Sequence, residues 1–203
     1  MSAATYANPV SVDRKPWGRR IEVFSAKLDR RLTLLSWDAH DVWLLLEGDF
    51  RVKRFCERPA YVADAQGRLL DFWVTTGRRE HFWVIGREGD GDRQWPRRVH
   101  DLPLRVIKRE ELLARRMATT NWGKIVPYLT ASRSHRAARL EDDVLHRLEK
   151  PYKLGRLEAA FSPLDPQLVR TAAFELMAAG KVVADHLDTA PLGLGTVLRK
   201  RAR

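Results

Sequence analysis

With a single cysteine, Cys56, in 203 residues, the chain supports neither a disulfide framework nor a metal site built on paired thiolates. Within the alternating stretch FRVKRFCERP that thiol reads as a small core residue, because no base stands beside it to activate it. Long apolar runs are missing too. No segment approaches the roughly 20 residues needed to cross a bilayer, and the opening MSAATYANPVSVDRKPWGRR lacks the apolar block of a secretory signal. A soluble, cytoplasmic protein without a membrane partner is expected. No glycine-rich loop leads into Lys-Ser/Thr: LGLGT, residues 192–196, follows no strand and lacks the lysine that would meet a phosphate. The histidines at 40, 81, 100, 135, 146 and 186 fall at no metal-ligand spacing, and no serine lies in a nucleophile elbow. No metal ligand and no cofactor is assigned on this basis.

Acids are the scarcer charge, 26 against 37 Lys and Arg, which leaves a net charge of +11. The excess is uneven. Seven basic residues fall between Asp13 and Arg31, among them Arg19, Arg20, Arg30 and Arg31. A second cluster runs from Arg93 through Arg97, Arg98, Arg105 and Lys108 to Arg116, and the chain ends in LRKRAR. A polyanion is the partner such clusters suit, since each phosphate neutralised releases condensed counterions. DNA is the expected partner, with nucleoid association, and Arg19, Arg20, Arg30, Arg31, Arg97 and Arg98 are the candidate phosphate contacts. The competing explanation is a solvated, arginine-rich surface with no ligand. A membrane surface fits less well, because the clusters do not form the polar face of one long amphipathic helix.

Residues 1–16, with Pro9 and Pro16, read as a loose arm. Leu28, Leu32 and Leu35 then fall at helical spacing behind Ser25 as a cap, so a helix is expected across residues 25–41. Three extended runs follow: DVWLLLEG, then DFRVKRFCERPAYV, then a hairpin over residues 67–88 with its turn at Gly77. GREGDGDRQWPRRVHDLP, residues 86–103, has no sustained period and reads as a connector, so a first domain over residues 17–103 is expected. Residues 104–203 turn helical, with Gly180 placed to stop the last helix and a short β-like run after it. Helices followed by a small β-wing suggest a winged helix. A helical bundle used for protein contacts is the alternative, since the exposed face of the supposed reading helix is not rich in Arg, Asn or Gln.

The order of a helix acid, strands, and Asp71 at the head of a hairpin resembles the TnsA-like endonuclease subunits of heteromeric transposases, within the PD-(D/E)XK nuclease group. The resemblance spans roughly residues 17–88. It rests on Ser25-Ala26-Lys27-Leu28-Asp29, on Val52-Lys53-Arg54-Phe55-Cys56-Glu57-Arg58-Pro59, and on Leu70-Asp71-Phe72. It implies an α/β fold, a restriction-endonuclease-like mixed sheet with a flanking helix, joined to a C-terminal winged-helix-like domain. It also implies DNA as ligand and a transposase and an ATPase regulator as partner subunits.

In that family a carboxylate cluster holds Mg²⁺ against the scissile phosphate and a lysine steadies developing charge. Asp71 stands at the family's strand aspartate, and Asp29 replaces the helix glutamate. The family's Glu-x-Lys pair falls here on Val84 and Gly86, neither of which binds a metal or activates water. The expectation is therefore a DNA-binding subunit with an impaired site, in which Asp71 and Asp29 are remnants of a catalytic set and Mg²⁺ has no role. Two alternatives stay open. One is an active Mg²⁺-dependent endonuclease in which Glu80 or Glu88 supplies the lost acid; the other is a winged-helix regulator or architectural protein. Asp71 also has a purely structural explanation, as a strand-end acid paired with Arg68 or Arg79.

Overall fold

A computed structural model gives the fold, and it describes residues 6–12, 19–62, 67–87, 90, 94–131 and 138–202. The chain divides into two compact units: Met1–Leu46 with Arg51–Ala114, and Glu47–Phe50 with Arg115–Arg203.

The first unit begins with a correction. Residues 25–35 are not helical: β1 (Ile21–Ser25) and β2 (Arg30–Leu34) form an antiparallel hairpin. Asp29 sits in its turn at φ 58, and the Ser25 hydroxyl accepts the Leu28 N–H at 3.0 Å. The leucines carry both periods, and period two prevails because Leu32 and Leu34 are buried while Leu35 is exposed. The helix comes next, as α1 (Trp37–Gly48), over residues 41–48 where a strand was expected. The Ser36 hydroxyl caps it by accepting the Ala39 N–H at 3.0 Å. Ala39, Val42, Trp43, Leu44, Leu46 and Glu47 are all buried, more than a single stripe of the helix. A short run such as Val-Trp-Leu-Leu-Leu is apolar on every side, so its pattern alone does not distinguish helix from strand.

After α1 in the chain comes a five-stranded mixed sheet built from β3 (Val52–Glu57), β4 (Phe72–Thr76), β5 (Arg79–Ile85), β6 (Arg98–Val99) and β7 (Leu102–Ile107), in the order β3-β4-β5-β7-β6. The expected meander is present: β3, β4 and β5 are antiparallel neighbours, and Gly77 makes the hairpin turn at φ 61. β7 then returns parallel to β5, pairing Phe82 with Leu104 and Ile85 with Ile107. Because β7 completes the sheet, the first unit runs past residue 103 and takes in α2 (Arg109–Ala114). Cys56, Leu70, Trp73, Phe82 and Val84 form the core of one face. Tyr6 joins them with its ring 4.8 Å from Phe82 edge-on, and Val10 N–H donates to Arg58 O at 2.8 Å, so this part of the N-terminal stretch packs on the sheet.

The second unit contains α3 (Arg116–Ala131), α4 (Ala138–Arg147), β8 (Tyr152–Lys153), α5 (Leu154–Ala159), α6 (Pro166–Ala178), β9 (Val182–Ala184) and β10 (Val197–Lys200), the strands in the order β8-β10-β9. α6 is its central element. Asp165 caps it by accepting the Gln167 N–H at 2.8 Å, and Val169, Ala172, Ala173, Phe174, Leu176 and Met177 are buried. The helix ends as Gly180 predicts: at φ 73 it donates to Met177 O while Lys181 N–H returns to Leu176 O. Among the described residues no helix is long and apolar enough to cross a membrane.

Candidate functional site

Asp71 lies one residue ahead of β4. The pairing of Phe72 with Trp83 brings it to the end of β5, where Val84 holds the place that the resemblance gives to a metal-binding glutamate. The backbone fixes the carboxylate tightly. Asp71 N–H donates to Trp83 O at 3.0 Å, and Ile85 N–H donates to Asp71 Oδ2 at 2.7 Å. Two guanidinium groups close around it. Arg68 Nη2 stands 3.6 Å from Oδ2 and Arg87 Nη2 stands 3.7 Å from Oδ1. The Asp71 and Arg68 side chains are each 11% exposed, whereas Arg87 is 52% exposed. Arg68 also donates to Ile85 O at 3.1 Å, which ties the approach to β4 against the end of β5. Of the two structural partners that the sequence suggests, Arg68 is present. Arg79 lies at the opposite end of the hairpin, across from Thr76.

Burial raises the Asp71 carboxyl above its ordinary 3.8 and outweighs the Ile85 N–H and the two guanidinium groups, which pull the other way, while Asp90 adds to the rise. A hard divalent cation takes six or more oxygen ligands. Here Val84 and Gly86 stand at the positions of the family's Glu-x-Lys pair, and two guanidinium groups lie against the carboxylate oxygens. This donor set does not fit Mg²⁺. Among the described residues, no three His, Cys, Asp or Glu side chains gather as a metal-ligand group.

Asp29 lies exposed in the β1–β2 turn rather than on a helix, so it is not the helix acid that the resemblance calls for. The acid proposed to compensate is also engaged elsewhere. Glu80 accepts the Trp73 Nε1–H at 3.1 Å and pairs across the hairpin with Thr75, four residues from Val84 or about 13 Å along the strand. Glu88 lies outside the described residues.

The candidate phosphate contacts are distributed rather than gathered. Arg30 holds Glu57 through two hydrogen bonds of 3.1 and 2.7 Å, with the Glu57 side chain 3% exposed. Its charge is thereby neutralised inside the fold. Arg19, Arg20 and Arg31 are exposed, with Arg20 Nε 3.3 Å from Glu22. Arg97 and Arg98 are exposed at β6, where Arg98 donates to Asp101 O. Arg30 bonds to β3 at one edge of the sheet while Arg98 belongs to β6 at the other, four interstrand steps or about 19 Å apart.

Sequence reasoning misses Arg87, which lies in a segment that reads as connector, and it misses the pairing of Arg30 with Glu57. A signal for the second exists: a glutamate within the apolar β3 run, fated for burial, requires a cation. The pair also shapes its neighbour, since burial and then Glu57 push the Cys56 thiol up to about 12, which makes it a core residue rather than a nucleophile. The chain matches no known family model, and no curated protein is significantly similar to it.

Proposed function

We propose that this protein binds DNA as a nuclease-like subunit without metal-dependent cleavage, and that it supports assembly of a partner transposase on transposon-end DNA in the manner of the TnsA-like proteins it resembles. One observation carries this reading: the Asp71 carboxylate lies against two guanidinium groups, while Val84 stands in the sequence where the family's metal-binding glutamate would. The succession α1-β3-β4-β5-β7, an antiparallel meander followed by a parallel strand, supports a nuclease-like ancestry of the first unit. In the second unit the succession α4-β8-α5-α6-β9-β10, with strand order β8-β10-β9, supports the winged-helix-like reading. The net charge of +11 supports a polyanionic ligand.

A regulator that reads base sequence through α6 is the weaker alternative. Arg170, the one arginine of that helix, is bound by Glu158 at 2.6 and 3.0 Å, and Leu168 is exposed near its start. The test is a plasmid-nicking assay in Mg²⁺ or Mn²⁺ beside a filter-binding titration. Retention of DNA that weakens with salt, that is the same in EDTA as in Mg²⁺, and that comes without nicks is the expected result. Metal-dependent nicks that vanish in Asp71→Ala would overturn the impaired-site reading, and an absence of DNA binding at low salt would overturn the whole proposal.

A further inference from the structure

The second unit carries a groove of about 430 Å³ whose walls include Leu154 from α5, Phe174 from α6, and Leu192 and Leu194 from the loop between β9 and β10, with Lys124 of α3 also lining it. That volume is in the range of pockets that accept a small ligand or a few side chains. The loop wall is held from within the unit. Asn121, fully buried on α3, donates to Leu187 O at 2.7 Å and to Ala190 O at 2.8 Å, and it accepts the Leu192 N–H at 2.8 Å. α5 grips the same loop: Leu154 N–H donates to Thr196 O at 2.8 Å and Gly155 N–H to Leu194 O at 2.9 Å. A Cβ on Gly155 would lie 3.1 Å from that of Leu194, so the close approach uses the glycine. Leu194 is nevertheless 58% exposed. A buried polar side chain thus immobilises a loop whose leucine stands in water beside an apolar groove, an arrangement in which little ordering entropy is left to lose on binding.

The charges select the occupant. Arg170 also lines the groove, but its guanidinium is bound by Glu158 and bonds to Tyr128 Oη at 3.2 Å. Lys124 is exposed and supplies the remaining positive charge of the lining. We propose that the groove docks a segment of a partner protein bearing an apolar side chain, Leu or Phe, close in sequence to a carboxylate, with the apolar group against Leu194 and the half-buried Leu192 and Tyr128 and the carboxylate on Lys124. A nucleic-acid backbone is the poorer match, because its phosphates would be desolvated against leucines. This inference goes beyond the nucleic-acid reading and does not depend on it.

The test uses the full chain to pan a displayed library of short random peptides, followed by fluorescence-anisotropy titration of the enriched peptides against wild type, Leu194→Asp, Lys124→Glu and Lys124→Arg, with thermal melts to check each fold. Enriched peptides should combine Leu or Phe with Asp or Glu. Leu194→Asp should weaken them by at least about tenfold, Lys124→Glu by about tenfold, and Lys124→Arg by little. Any of three results overturns the proposal: no enrichment over the naive library, enriched peptides insensitive to both Leu194→Asp and Lys124→Glu, or a dimer in sedimentation that Leu194→Asp dissociates, which would make a second copy the occupant. Duplex DNA competing the peptide off with dependence on Leu194 would also overturn it in favour of nucleic acid. Because the probe is a peptide, failure here leaves DNA retention unaffected.

Discussion

Each unit buries a carboxylate against an arginine, Glu57 with Arg30 in the first and Glu158 with Arg170 in the second, but at their candidate sites the two use buried polar groups differently. In the first, Glu57 takes Arg30 and Asp71 takes Arg68 and Arg87, so each charge is answered by another charge of the same unit and the sheet closes on itself. In the second, Asn121 is neutral, and its three hydrogen bonds all go to the backbone of a loop that keeps Leu194 in solvent. Ion pairing consumes the capacity of a site for a charged ligand, whereas backbone pinning leaves side-chain surface presented and rigid. The contrast explains why a metal fits poorly at Asp71 while a peptide fits the groove.

The largest expected effect lies at the pair in the first unit. Arg30→Ala strips both guanidinium hydrogen bonds from the buried Glu57 carboxylate, leaving only Arg58 at 3.9 Å, and should destabilise by up to about 3 kcal/mol in urea unfolding, with much of the loss recovered in Arg30→Ala combined with Glu57→Gln. If the single variant lost under about 1 kcal/mol, the closure of the first unit on its own charges would be refuted. Asn121→Leu comes next. It strips partners from two carbonyls and an N–H and should cost about 2–3 kcal/mol, with faster proteolysis at residues 185–196; an unchanged cleavage rate there would show that the loop is rigid without it.

A smaller effect with a defined sign belongs to Asp71. Its carboxyl titrates above 3.8 in the folded chain, so folding favours the protonated form. The stability this contributes is full below the unfolded value and is lost as pH rises through the folded one. Relative to Asp71→Asn, wild type should lose ground as pH rises from 3.8 upward in urea titrations. A wild type that gains instead would mean that Arg68 and Arg87 outweigh burial. The slightest effect is chemical: with its thiol pushed up to about 12, Cys56 should resist iodoacetamide near pH 8 and react once urea unfolds the chain. Rapid alkylation of the native protein would place it outside the core described here.

Legibility followed distance along the chain. The β4–β5 hairpin is visible from Gly77 and its flanking apolar runs, and counting from Asp71 across that turn already reaches Val84. The stop of α6 is visible in Gly180 for the same local reason. The leucines of residues 28–35 fit two periods at once, and only the burial of Leu32 and Leu34 against the rest of the unit decides between them. Read as a helix, residues 25–35 place Asp29 on a helix and leave α1 as a strand, so one ambiguous period changes the element on which that acid stands.

By itself the sequence determined the excess of positive charge, the turn and helix stops at glycines, and the presence of Val84, which cannot bind a cation, 13 positions after Asp71, because all of these depend on composition or on spacing across a short turn. Only the tertiary structure decided that Arg87 closes on Asp71, that Arg30 is held by Glu57 27 residues away, and that Asn121 pins a loop 66–71 residues further on. Burial makes such partnerships obligatory for a polar group, but which group supplies the partner depends on how the chain packs, since many arginines and backbone amides would serve equally well.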